Sequence, residues 1–112
     1  MTIAATINNQ LRASIPAPVL WSWGASKFQA VGANQIQGVG EDYSGALLFY
    51  VRGMLHKGHV LITLNYRDEY TISLGPVRKG KMNVKRQKTG IHFDMLGTII
   101  DEMVEKQPNY AY

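Results

Sequence analysis

Between Ala46 and Leu74 the chain reads ALLFYVR, VLITLNY and YTISL, three runs rich in β-branched and aromatic residues, broken only at residues 53–58 and 67–69. Connections this short cannot hold the crossover that parallel strands require, so the runs pair as an antiparallel meander. Alternation puts Leu61, Thr63 and Asn65 on one side of the middle strand and Val60, Ile62, Leu64 and Tyr66 on the other. In the next strand Tyr70, Ile72 and Leu74 alternate with Thr71 and Ser73. A sheet of this kind needs cover, and a chain of 112 residues has room for a single core.

The cover is read from both ends of the chain. Ile3, Ile7 and Leu11 are spaced i, i+4 and i+8, which predicts a helix over residues 2–14 that ends before Pro16 and Pro18 in an extended link. Its apolar stripe is narrow, so it needs the rest of the domain or a partner to be stable. At the other end, residues 91–106 form an amphipathic helix with Phe93, Leu96, Ile100, Met103 and Val104 on its apolar side and Ile99 broadening the stripe. Gly97 weakens that helix, a cost that close approach to the sheet would justify. Pro108 stops it and leaves residues 107–112 as a tail.

The remaining segments are read more coarsely. Phe28 to Val31 forms a short strand entering a turn at Gly32. Trp21 and Trp23 share a face if this part is extended, and are read as packing anchors, with a stacking platform for bases or a peptide as the alternative. GVGEDYSG is a loop whose glycine spacing and acidic pair, Glu41 and Asp42, do not suit phosphate. The expected fold is a single α+β domain: an antiparallel sheet of four or five strands, with the C-terminal amphipathic helix packed on one face and a short N-terminal helix.

VRKGKMNVKRQK, residues 77–88, holds six of the twelve Lys and Arg residues and no acid. Parity divides it. A turn centred on Gly80 carries Arg78, Lys79 and Lys81, and a strand over residues 81–87 has Met82 and Val84 facing the core and Lys81 and Lys85 facing water. Arg78, Lys79, Lys81, Lys85 and Lys88 are the candidate nucleic-acid contacts, since lysine offers a mobile charge and arginine a forked donor set. No aromatic residue interleaves with these cations, and no RNA-recognition or recognition-helix pattern is present. The net charge of +4 and pI near 9.5 lean the same way only modestly.

Other chemistry finds little support. There is no cysteine, hence no disulfide framework and no thiolate. His56 and His59 bracket a turn without the i, i+4 spacing of a helical zinc pair, and Asp68 and Glu69 point to water. Asp94 suits a helix N-terminus, while Asp101, Glu102 and Glu105 make a solvent face. No nucleophile–base arrangement stands out, so no enzyme, cofactor, metal or small-molecule substrate is expected. MTIAATINNQ lacks a basic, apolar leader pattern and no run reaches bilayer length, which predicts a soluble intracellular protein.

Three strings, ASKFQAVGANQIQG (25–38), VLITLNYRDEYTISLGPVRKG (60–80) and IHFDMLGTIIDEMVEK (91–106), resemble in content and order a family of small uncharacterised proteins encoded by bacteriophages and prophages. The resemblance implies an α+β fold and a location in the cytoplasm of an infected or lysogenic bacterium, or in a phage particle. It transfers no catalytic role. The leading functional expectation is an interaction or assembly protein, self-associating or binding a protein partner through Ile3, Ile7, Leu11, Trp21 and Trp23; nucleic-acid binding through the basic surface is the alternative.

Overall fold

The computed structural model describes residues 3–15, 17–53 and 55–104, with Leu20 as backbone only. The expected tail, its Pro108 stop and Glu105 lie outside the described residues. Helices α1 (Ile3–Ser14) and α2 (Ala17–Ser22) precede strands β1 (Ser26–Gly32), β2 (Gly45–Arg52), β3 (Lys57–Leu64) and β4 (Tyr70–Gly75). A small hairpin follows, β5 (Val77–Arg78) and β6 (Lys81–Met82), then β7 (Arg86–Ile91), a 3-10 turn (Phe93–Met95) and helix α3 (Leu96–Val104). The main sheet has five strands in the order β1-β2-β3-β4-β7, every neighbouring pair antiparallel. It is the expected meander, with the β5–β6 hairpin inserted before its last strand.

Both faces of the sheet are covered, and by different things. On one side Leu47, Phe49, Val60, Ile62, Ile72 and Leu74 pack with Ile7 and Leu11 of α1 and Leu96, Ile100 and Met103 of α3. On the other, Ala46, Leu48 and Leu61 lie under Ile36, Val39 and Tyr43 of the 33–44 loop and under Met82 of the hairpin. That second side is part polar: Thr63, Thr71 and Ser73 are fully buried. Their hydroxyls find partners, Thr71 donating to Glu41 Oε1 at 2.6 Å and Ser73 accepting from Gln87 Nε2 at 2.9 Å. Among the described residues, no buried side-chain nitrogen or oxygen is left unsatisfied.

Several local expectations are corrected. The segment after α1 is helical rather than extended, because Pro18 falls in the first turn of α2, where its missing N–H is no loss. Trp21 and Trp23 therefore do not share a face: Trp23 is fully buried and donates its indole N–H to Asp101 Oδ1 at 2.9 Å, while Trp21 is 76% exposed. Asp101 is thus an acceptor in a tertiary contact and not simply part of a solvent face.

The strand expected over residues 81–87 breaks after Met82. Its continuation, β7, runs on to Ile91, so the last helix starts later than expected and Phe93, placed in the 3-10 turn, is 57% exposed. Gly97 makes its close approach to the end of α1 rather than to the sheet: an added Cβ would sit 2.1 Å from Ile15 Cγ2. Ser14 Oγ accepts the Gly97 N–H at 3.0 Å, capping α3 from another helix. Among the described residues, no helix is long and apolar enough to cross a membrane.

Candidate anion-binding surface

Val77 pairs with Met82 and Arg78 with Lys81 in the hairpin. Residues paired across a ribbon share a face, and successive pairs alternate. Met82 is buried and Val77 half-buried against the second core, so the Arg78–Lys81 pair is turned outward, and both side chains are exposed. Lys79 and Gly80 join the strands with φ of 51° and 74°, the positive values that a type I′ turn demands at both positions. Glycine adopts this conformation freely. For lysine it costs about 1–2 kcal/mol, and asparagine, aspartate or glycine are the usual occupants.

An open groove of about 690 Å³ runs along the hairpin, with Arg78, Lys81 and Asn83 supplying polar groups and Pro76, Val84 and Gly38 among its walls. Among the described residues, no carboxylate lines it. The hairpin is held against the 33–44 loop by backbone contact. Gln37 N donates to Gly80 O at 2.9 Å and Met82 N to Gln37 O at 2.8 Å. A Cβ on Gly38 would lie 2.3 Å from Met82 O, so no larger residue permits this approach. Gln87 Nε2 adds a further tie to Val39 O at 2.7 Å. Glu41 and Asp42 line a separate depression in the loop, of about 390 Å³.

The other basic residues are dispersed. Lys85 is exposed just past the hairpin, its backbone N–H donating to Leu74 O at 2.7 Å. Arg86 and Lys88 stand opposite Leu74 and Ile72, on the side of the sheet that carries the helices. Arg86 Nη1 donates to Met103 O at 2.9 Å near the C-terminal end of α3, where a cation meets the helix dipole favourably. The structure thus groups Arg78, Lys79 and Lys81, leaves Lys85 close by, and sends Lys88 to the opposite side.

The apolar candidates fare differently. Ile7, Leu11 and Trp23 are fully buried and Ile3 packs beside them, because the narrow stripe of α1 is needed to close the chain's own core. Of that set only Trp21 is presented to solvent.

A second group of residues on the hairpin side has no counterpart among the sequence candidates. Tyr50 pairs with His59 and Arg52 with Lys57, continuing the same side as the Leu48–Leu61 pair beneath the hairpin. The Tyr50 and His59 rings meet edge-on at 5.4 Å, and Lys27 Nζ lies 5.6 Å from the Tyr50 ring centroid. Burial, then the charge of Lys27, then His56, hold His59 below the ordinary histidine range. His56 Nε2 meets the His59 carbonyl oxygen at 3.1 Å. Alternation within ALLFYVR already aligns Leu48, Tyr50 and Arg52; the missing signal is the β2–β3 register, which brings His59 and Lys57 beside them.

Comparison with known proteins returns no match: no family model fits the chain, and no curated protein or solved structure is similar to it.

Proposed function

We propose that this chain is a non-enzymatic binding domain that holds a polyanion, nucleic acid first among them, on the hairpin formed by Arg78, Lys79 and Lys81. The observation that carries this reading is Lys79. A backbone position that favours glycine or asparagine is filled by a cation, flanked by two outward-facing cations over a groove that no carboxylate among the described residues lines. A hairpin shaped by stability alone has no use for that choice. The expected binding is weak and insensitive to sequence, because it rests on charge. A phage or prophage origin, as the resemblance implies, would place the protein in a bacterial cytoplasm or a virion, where nucleic acid is the abundant polyanion.

The test is a titration of fluorescently labelled DNA, RNA and heparin by anisotropy at rising salt. Dissociation constants of about 10⁻⁶ to 10⁻⁴ M that weaken steeply with salt are expected. They should weaken further when Lys81 and Lys85 are changed to Glu. Failure of every polyanion to bind at low salt would overturn the reading.

One observation favours a second reading, association with a protein: Trp21, 76% exposed on α2. A native mass above 12.5 kDa that falls on Trp21→Ser would support self-association, and a concentration-independent monomer would remove it.

A further inference from the structure

Resting on the polyanion reading and sharpening it, we infer that the ligand is a single-stranded nucleic acid. A base stacks at Tyr50 and its neighbouring phosphates are held by Lys27, Arg52 and Lys57, alongside the hairpin cations. The hairpin itself has no aromatic residue. The fold supplies one from a distant part of the chain. Tyr50–His59 is the next same-side pair after Leu48–Leu61, about 7 Å along the strands from the core that the hairpin covers. Arg52–Lys57 is the pair after that, with both side chains exposed. A half-buried aromatic ring set among exposed cations beyond the hairpin's cover is an arrangement that binds single strands, whose unstacked bases reach a protein ring. A duplex keeps its bases stacked internally and has no use for Tyr50.

Lys27 gives independent support. Among the described residues, four that are not glycine have positive φ: Lys27, Asn34, Asp68 and Lys79. Asn34 and Asp68 are of the types that tolerate it. The two lysines are not, and one tips the hairpin while the other, in the register shift of β1, is carried over Tyr50. The Tyr50 ring is half-buried, with Lys27 Nζ 5.6 Å from its centroid; a cation–π contact of this kind is worth only about 0.5–1 kcal/mol, so the ammonium can leave the ring for a phosphate as a base arrives.

The experiment compares labelled oligothymidylate, a duplex of the same length and heparin against the wild-type chain, Tyr50→Leu and Tyr50→Phe, with melting curves for each variant. Tyr50→Leu should weaken oligothymidylate roughly tenfold and leave heparin unchanged, with Tyr50→Phe restoring the loss. On the wild-type protein, ultraviolet crosslinking of bound oligothymidylate should map to the peptide containing Tyr50. This second measurement holds even if Tyr50→Leu folds poorly. Duplex bound as tightly as single strand, an equal or absent effect of Tyr50→Leu on oligothymidylate and heparin, or a crosslink confined elsewhere would overturn the inference while leaving the polyanion reading intact. Binding of no polyanion at all would overturn both.

Discussion

Changing Lys79 to Asn should make this protein more stable and a poorer anion binder at once. Lys79 sits at φ 51° in the hairpin turn, where lysine gives up about 1–2 kcal/mol relative to its preferred conformations. Asparagine recovers part of that, so a gain of about 0.5–1 kcal/mol is expected, equivalent to roughly 2–4 °C in Tm for a domain of this size. The exposed side chain makes no core contact whose loss would offset the gain. Binding should move the other way. Each phosphate neutralised on a single strand contributes about 0.7 to the slope of log K against log salt. One contact is therefore worth about fivefold at roughly 0.1 M salt, vanishing towards 1 M. Thermal melts and salt-dependent anisotropy on the same preparations read both quantities. A variant that is less stable, or more stable with unchanged affinity and slope, would refute the idea that a cation is kept at this turn for its charge. Lys79→Gly should behave alike, with the full relief of strain reduced by glycine's greater freedom in the unfolded chain.

Gly97→Ala should destabilise by about 1–3 kcal/mol despite gaining about 1 kcal/mol of helix propensity, because its Cβ would fall 2.1 Å from Ile15 Cγ2 and 2.6 Å from Ser14 Oγ. A urea midpoint equal to or above the wild type would show that the α1–α3 contact yields easily. Trp23 and Asp101 should couple by about 1–2 kcal/mol in a double-mutant cycle of Trp23→Phe and Asp101→Ala, reflecting the 2.9 Å indole–carboxylate bond; additive losses would contradict it. The folded state holds His59 below its usual value near 6.5, so the unfolded chain takes up that proton first. The stability this group contributes is present above about pH 6.5 and is lost as pH falls through the lowered folded value. The urea midpoint should therefore fall over that interval, and less so in His59→Gln. A midpoint that rises on acidification would mean that His59 is charged in the fold.

The meander is legible in the sequence because the runs from Ala46 to Leu74 alternate and their connections are short, two constraints that leave little choice of topology. The helix of α1 is legible too, through Ile3, Ile7 and Leu11. Whether its stripe meets this chain or another is not, since a narrow stripe looks the same in either setting. Residues 77–88 are harder to read for a physical reason. Parity is informative only while a strand runs straight, and here Lys79–Gly80 reverses the chain and a break follows Met82, so Arg86 and Lys88 end on the opposite side from the hairpin. Trp21 and Trp23 separate because a proline with the pattern of a helix stop opens a new helix instead. Tyr50 and Lys27 are invisible as a pair because their neighbourhood is made by cross-strand register, which a single strand's pattern does not contain.

The two covers of the sheet differ in a way that bears on where a ligand would be held. The helical side is closed chiefly by apolar side chains, whose contacts are non-directional, with directed ties at its edges from Trp23 to Asp101, Gly97 to Ser14 and Arg86 to Met103. The hairpin side is tied by directed bonds: Gln37 to Gly80 and Met82, Gln87 to Val39 and Ser73, and Thr71 to Glu41. Buried polar contacts of this kind add modestly to net stability but specify position, because a shifted donor is left unpaired. Gly38 reinforces this by bringing the loop backbone against Met82 O at a separation that admits no side chain. The hairpin is therefore fixed in place over Leu48 and Leu61, and through them at a set distance from Tyr50 and His59. That registration holds Arg78, Lys79 and Lys81 in a constant relation to an aromatic ring, and it is this grouping of cations beside a ring, which neither the helical side nor the buried stripe of α1 offers, that makes the hairpin side the place to test for binding.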